Sequence, residues 1–202
     1  MRINSKGCNL QTTLESSIIF SGVGLHSGKS VSLSIKPASE NHGILFKRKD
    51  IEIGNPIVRA RWDYVSKTTL CTRVTNEDGT TISTIEHLMA ALAGCGVSNA
   101  LIEIDSEEVP ILDGSAAPFV KGILETGLKI ISSSSRIIKI TRPIMFENQF
   151  GWARLSPFKR PEMEYFIEFD DLVIGKQSKI CLLYTSDAAD EGLGVDLGGR
   201  RI

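Results

Sequence analysis

Alternation of apolar and polar residues sets the pattern of the first half of the chain. Val31, Leu33 and Ile35 alternate with serines over residues 30–35, the period of a strand that buries one face. The same period returns where Ala100, Ile102 and Ile104 alternate with Leu101, Glu103 and Asp105. Residues 12–20 read as a further strand ending in a glycine-rich turn at 22–28, and residues 43–47 as the neighbour of strand 30–35. Residues 70–75 and 80–83 read as a pair joined through Asn76-Glu77-Asp78-Gly79, in which Asp78-Gly79 is a strong turn signal. Serines 132–135 form a candidate linker. Beyond them 136–140, 144–147, 152–155 and 165–169 read as strands of a second sheet, with no helix following that could cover it.

The period changes to helical in two places. Ile85, Leu88, Met89 and Leu92 share one face of a helix over residues 83–94, enriched in alanine. Ser83 and Glu86 have the spacing of a capping box, and Gly94 is placed to end the helix in the left-handed conformation. A second helix is expected from a Ser115 cap to about Glu125, with Pro118 tolerated in its first turn. Just before it, Asp113 sits in a tight turn whose own N–H groups its carboxylate can accept.

Composition narrows the function. The 202 residues suffice for one large or two small domains, and a net charge of -1 without an arginine-rich stripe argues against a nucleic-acid partner. No apolar run is long enough to cross a bilayer, and the N-terminus lacks the apolar core of a secretory signal, so a cytoplasmic protein that is not integral to a membrane is expected. Cys8, Cys71, Cys95 and Cys181 show no Cys-x-x-Cys pairing and suit reduced thiols. The glycines of 22–28 do not match a phosphate loop.

Candidate chemistry gathers at Glu86 and His87. A helix N-terminus disfavours an imidazolium, and a neutral imidazole beside a carboxylate can bind a metal. A capping box followed by an ordinary polar histidine accounts for the same pair. Neither His26 nor His42 stands at a metal-ligand spacing from His87, and His26 is the better pocket candidate of the two. No Ser-His-Asp or Cys-His motif presents itself for a metal-free hydrolase.

Four ordered motifs occur together: residues 22–28 (Gly-Val-Gly-Leu-His-Ser-Gly), 69–72 (Thr-Leu-Cys-Thr), 83–92 and 113–120 (Asp-Gly-Ser-Ala-Ala-Pro-Phe-Val). Together they resemble the bacterial UDP-3-O-acyl-N-acetylglucosamine deacetylases, over about residues 12–180. That family removes the acetyl group of an acylated sugar nucleotide at the committed step of lipid A synthesis. The resemblance implies an α/β (α+β) fold, a two-domain sandwich of sheets with helix pairs facing each other and zinc (Zn2+) between them. It implies that His87 is a zinc ligand and Glu86 the general base for the metal-bound water, chemistry in which zinc lowers the water's pKa and polarises the amide carbonyl. Leu70 and Cys71 match substrate-binding positions near the pocket, with buried strand residues as the plainer account of both; His26 joins them as a substrate-binding candidate. The implied partner is the small acylated UDP-sugar, and the implied state a monomer when full length.

The chain also departs from that pattern. No histidine follows His87, and the family's threonine motif and second-domain insertion are absent. Residues 181–191 and 194–202 resemble the two flanks of a translated sequencing-library adapter. The expected organisation is therefore a first domain at 1–132, an incomplete second at 133–180 and a non-native tail at 181–202. A chain so composed is expected to be an inactive fragment, the alternative being a noncatalytic sugar-nucleotide or protein-binding module.

Overall fold

A computed structural model describes residues 10–159 and 162–182. Among them fourteen strands and two α-helices follow in order: β1 (Leu10–Leu14), β2 (Ile18–Val23), β3 (Ser30–Pro37), β4 (Ile44–Arg48), β5 (Ile57–Arg59), β6 (Val65–Lys67), β7 (Arg73–Thr75), β8 (Thr81–Ile82), α1 (Glu86–Gly94), β9 (Ala100–Ile104), α2 (Ala117–Thr126), β10 (Leu128–Ser134), β11 (Ile144–Asn148), β12 (Gly151–Leu155), β13 (Glu162–Glu168) and β14 (Lys176–Leu182). This is the α+β class expected from the sequence. The described residues divide into two compact units between Ser135 and Arg136.

In the first unit a five-stranded sheet runs β2-β3-β9-β4-β5. The alternation of β3 and β9 survives as burial: Leu33, Ile35, Ile102 and Ile104 are fully enclosed. Leu88 and Leu92 of α1 and Phe119 and Ile123 of α2 join them in one core. Each such side chain contributes on the order of 1.5–3 kcal/mol by leaving water. Helix α2 closes on β2 through the edge of Phe119 against Phe20, ring centroids 4.9 Å apart. Gly122 permits that approach, since a Cβ there would lie 2.8 Å from the Phe20 ring and closer still to Ile18.

Several expected elements shift, each for a local reason. The strand foreseen at 12–20 breaks at exposed Glu15–Ser17 into β1, which pairs with β10, and β2, which pairs with β3. β4 is not the neighbour of β3. β9 lies between them, antiparallel to β3 and parallel to β4. Asn99 starts that register, its Oδ1 accepting the Gly43 N–H at 2.9 Å while the Ala100 N–H reaches the Gly43 carbonyl at 3.0 Å. Ser132–Ser134 are strand and not linker, because β1 offers the edge on which β10 pairs. The 76–79 turn holds, with Gly79 at φ 82° and β7 paired to β8, although β7 begins only at Arg73.

The second unit consists, among the described residues, of two hairpins, β11-β12 and β13-β14. No side chain described there is buried: Phe146, Trp152 and Phe166 are each more than half exposed. Residues 136–140 form no strand, since their apolar positions find no pairing edge, and Ile138 stands 88% exposed. β14 was not foreseen; its sequence, polar over 176–179 and apolar over 180–182, carries no alternation, and it is held by backbone pairing to β13. Residues 183–202, most of the expected tail, and Cys8 lie outside the described residues.

Candidate functional site

The start of α1 is built from a bend and not from a cap. Ser83 forms an isolated bridge with Glu108: its N–H donates to the Glu107 carbonyl at 2.9 Å, and its own carbonyl accepts the Val109 N–H at 3.1 Å. Its hydroxyl accepts from Arg73 Nε at 2.8 Å. The capping box expected of Ser83 and Glu86 is therefore absent; Ile85 takes the N-cap position with no side-chain bond, and the helix begins at Glu86. Between bridge and helix Thr84 holds φ 58°, left-handed and rare for a β-branched residue. That bend turns the chain from β8 into α1.

Glu86 and His87 are both half-buried. The Glu86 Oε2 accepts the backbone N–H of Thr72 at 3.1 Å, so the carboxylate is held against the residue that follows Cys71. The Asp113 carboxyl is held below its ordinary value chiefly by the Ser115 N–H and hydroxyl, each 2.9 Å away. Asp113 thus bonds within its own turn, as its position in the sequence suggested. Ser115 stands one residue outside the N-cap of α2, which is Ala116, and its hydroxyl accepts the Ala117 N–H at 3.1 Å.

A cleft of about 320 Å3 opens beside these residues, lined among others by His26, Lys67, Leu70, Cys71, Arg73 and Glu108. It brings together the three substrate-binding candidates, His26, Leu70 and Cys71. Glu86 and His87 do not line it; Thr72 connects the first of them to its wall. Leu70 is no buried strand residue: it is 85% exposed at φ 66°, in the bend before β7. Cys71 is half-buried with a free thiol. His42 lies outside the cleft, its Nδ1 3.1 Å from the Gly43 carbonyl oxygen.

Glu108 was not singled out by the sequence, where it is one of several acidic residues at 103–108. Only 2% exposed, it receives the N–H of His26 at 3.0 Å, the N–H of Ser27 at 2.8 Å and the Thr84 hydroxyl at 2.8 Å. Burial alone would raise its pKa, but these donors together outweigh that and hold it at about 2. The bare backbone of Gly24 makes room: a Cβ there would meet the Ser27 hydroxyl and the Glu108 carboxylate. The signal available in the sequence was the apolar run Val109-Pro110-Ile111 that follows, which draws this segment inward.

Among the described residues no three of His, Cys, Asp and Glu come together as a metal cluster, and no helix is long and apolar enough to cross a membrane. The sequence model of the family described as UDP-3-O-acyl N-acetylglycosamine deacetylase matches residues 11–190. The chain is 44% identical over 181 residues to the UDP-3-O-acyl-N-acetylglucosamine deacetylase of Shewanella halifaxensis, covering 89% of this chain and 58% of that protein. The protein of the same name from Vibrio atlanticus is 44% identical over 162 residues, with 79% and 52% covered. That from Photobacterium profundum is 40% identical over 181 residues, with 88% and 59% covered. The chain thus spans less than two thirds of the length of these curated relatives. The family match runs past Cys181, where the adapter-like tail was expected to begin.

Proposed function

Because the chain belongs to the UDP-3-O-acyl N-acetylglycosamine deacetylase family, we propose that it carries part of the active site for zinc-dependent hydrolysis of the N-acetyl group of UDP-3-O-(3-hydroxyacyl)-N-acetylglucosamine, the committed step of lipid A biosynthesis. The observation that carries the reading is the position of Glu86, a half-buried carboxylate fixed by the Thr72 amide next to a cleft large enough for part of a substrate. In this role Glu86 takes the proton of the attacking water, for which a carboxylate within hydrogen-bond reach of that water suffices. Leu70, Cys71 and His26 contact the sugar nucleotide from the cleft. The protein works in the cytoplasm, as a monomer when full length.

A catalytic zinc takes about three protein ligands and keeps one position open. His87 would supply one of them. The described residues bring no second and third ligand to it, so they do not complete the site. We infer that the 202 residues by themselves are inactive.

The test compares the full natural protein that carries this sequence with the 202-residue chain, each dialysed, assayed for bound zinc and for acetate released from the acylated UDP-sugar. The full protein is expected to keep zinc and release acetate, and the chain to do neither. Acetate release and retained zinc in the 202-residue chain would overturn its inactivity. A full protein that binds the sugar nucleotide without releasing acetate would replace the enzyme reading with a noncatalytic binding module.

A further inference from the structure

Glu86 depends for its direction on the bend at Thr84, and that bend depends on a buried carboxylate from another part of the chain. A β-branched residue held at φ 58° is strained and persists only where its surroundings enforce it. Here the enforcing groups are identifiable. Ser83 is fixed on one side by its bridge to Glu108. The Thr84 hydroxyl donates to Glu108 Oε1 at 2.8 Å. The same carboxylate receives the backbone of His26 and Ser27, which carry one wall of the cleft.

A structural need alone does not call for this residue. Burying a charge is costly, and an apolar side chain of similar volume often serves packing as well or better. Three donors converging on one acceptor do call for a carboxylate: an amide in its place would turn an NH2 toward N–H and O–H groups that have no lone pair aimed at it. The arrangement ties the loop bearing His26 to the bend that launches Glu86, so wall and candidate base move together.

We propose that Glu108 is a positioning residue for Glu86, acting through its hydrogen bond to Thr84 and its hold on the His26-Ser27 backbone. The proposal rests on the deacetylase reading for its catalytic readout and on geometry alone for its spectroscopic one.

The experiment uses Glu108→Gln, Thr84→Val and Thr84→Ser in the full natural protein, each confirmed folded by a cooperative melt. Misplacement of a supported catalytic group costs about tenfold to a hundredfold. Glu108→Gln and Thr84→Val are expected to lower kcat by that much with KM changed less than about twofold, and Thr84→Ser, which keeps the hydroxyl, to retain most of kcat. The amide resonance of Thr72, which donates to Glu86, is expected to shift in the first two and stay in place in Thr84→Ser. Unchanged kcat in Glu108→Gln and Thr84→Val, a rise in KM alone, or equal losses in Thr84→Ser and Thr84→Val would overturn the proposal. Should Glu108→Gln fail to fold, the Thr84 pair decides. Should the unsubstituted protein release no acetate, the deacetylase reading fails by itself, and the Thr72 resonance decides the positioning: a shift in Thr84→Val but not Thr84→Ser supports it, and no shift in either overturns it.

Discussion

The backbone N–H of Thr72 donates to the carboxylate of Glu86, 3.1 Å from its Oε2. A second contact runs the other way, the Ile85 N–H lying 3.5 Å from the Thr72 carbonyl oxygen. The first turn of α1 is therefore fastened to the segment that carries Leu70 and Cys71 into the cleft. A carboxylate held in this way has a fixed direction before any substrate arrives.

Glu86→Gln separates that structural bond from proton transfer. The amide oxygen of glutamine can still accept the Thr72 N–H, so the melting temperature is expected to stay within a few degrees of the unsubstituted protein. A glutamine cannot take a proton. In the full natural protein deacetylation is expected to fall roughly a hundredfold to ten-thousandfold, the range for loss of a general base. Steady-state kinetics on the acylated UDP-sugar checks it, and an unchanged kcat would remove Glu86 from the base role.

Glu108 predicts a pH dependence of stability. Its folded pKa, about 2, lies below the ordinary 4.5, so the folded state favours the charged form. The stabilisation is present in full above the ordinary value and is lost as pH falls from about 5 towards 2. The two pKa values correspond to roughly 3 kcal/mol, an order-of-magnitude figure for one buried group. Asp50 and Glu103, lowered chiefly by bonds to Arg48 and Lys36, act in the same direction. Urea unfolding at a series of pH values should show stability falling on acidification, with a shallower slope in Glu108→Gln. An equal slope in the two proteins would show that Glu108 does not titrate abnormally.

The elements that frame this site were legible in the sequence, and the parts that were not share a cause. Alternation located β3 and β9, and helical spacing located the buried face of α1, because both reflect burial of successive residues in one element. The roles of Ser83 and Glu86 were misread because a capping box is a local pattern, whereas Ser83 is claimed by Glu108 and Arg73 from elsewhere in the chain. Leu70 looked like a strand residue until its φ of 66° put it in a bend. The apolar run Val109-Pro110-Ile111 marks where the chain turns inward, but only the approach of the Gly24–Gly28 turn decides that Glu108, and not one of its acidic neighbours, is enclosed.

Gly24→Ala tests that approach. The new Cβ would meet the Ser27 hydroxyl and stand 2.9 Å from the Glu108 Cδ, so the turn or the carboxylate has to move. Overpacking of this kind costs about 1–3 kcal/mol. Thermal melts should show the loss, together with a shift of the His26 and Ser27 amide resonances. A melt unchanged from the unsubstituted protein would mean that the turn has slack the geometry does not suggest.

The corrected role of Ser83 is open to a double-mutant cycle. If its hydroxyl accepts from Arg73 Nε, removing either partner should cost about the same as removing both, leaving a coupling of about 1 kcal/mol between Ser83→Ala and Arg73→Met. The cycle of Ser83→Ala with Glu86→Ala, which removes any reach of that side chain back to the helix start, should show coupling near zero. A coupling confined to the Ser83 and Glu86 pair would restore the capping box.

The end of α1 offers a second discrimination, because two glycines two residues apart should respond with opposite sign. Gly94 is the last helical residue, exposed, and a Cβ on it would meet nothing within 4 Å. Alanine there reduces the freedom of the unfolded chain and raises helix propensity, so Gly94→Ala should stabilise by roughly 0.5–1 kcal/mol. Gly96 holds φ 75°, with its N–H on the Ala93 carbonyl at 3.0 Å, and is the residue that turns the chain out of the helix. Space around it is equally open, so the cost of Gly96→Ala is one of backbone conformation, about 1–2 kcal/mol. Had Gly94 been the left-handed terminator its spacing suggested, the two signs would be exchanged. Chemical unfolding of both variants decides between the arrangements, and only destabilisation at 96 with stabilisation at 94 agrees with a helix that runs through Gly94.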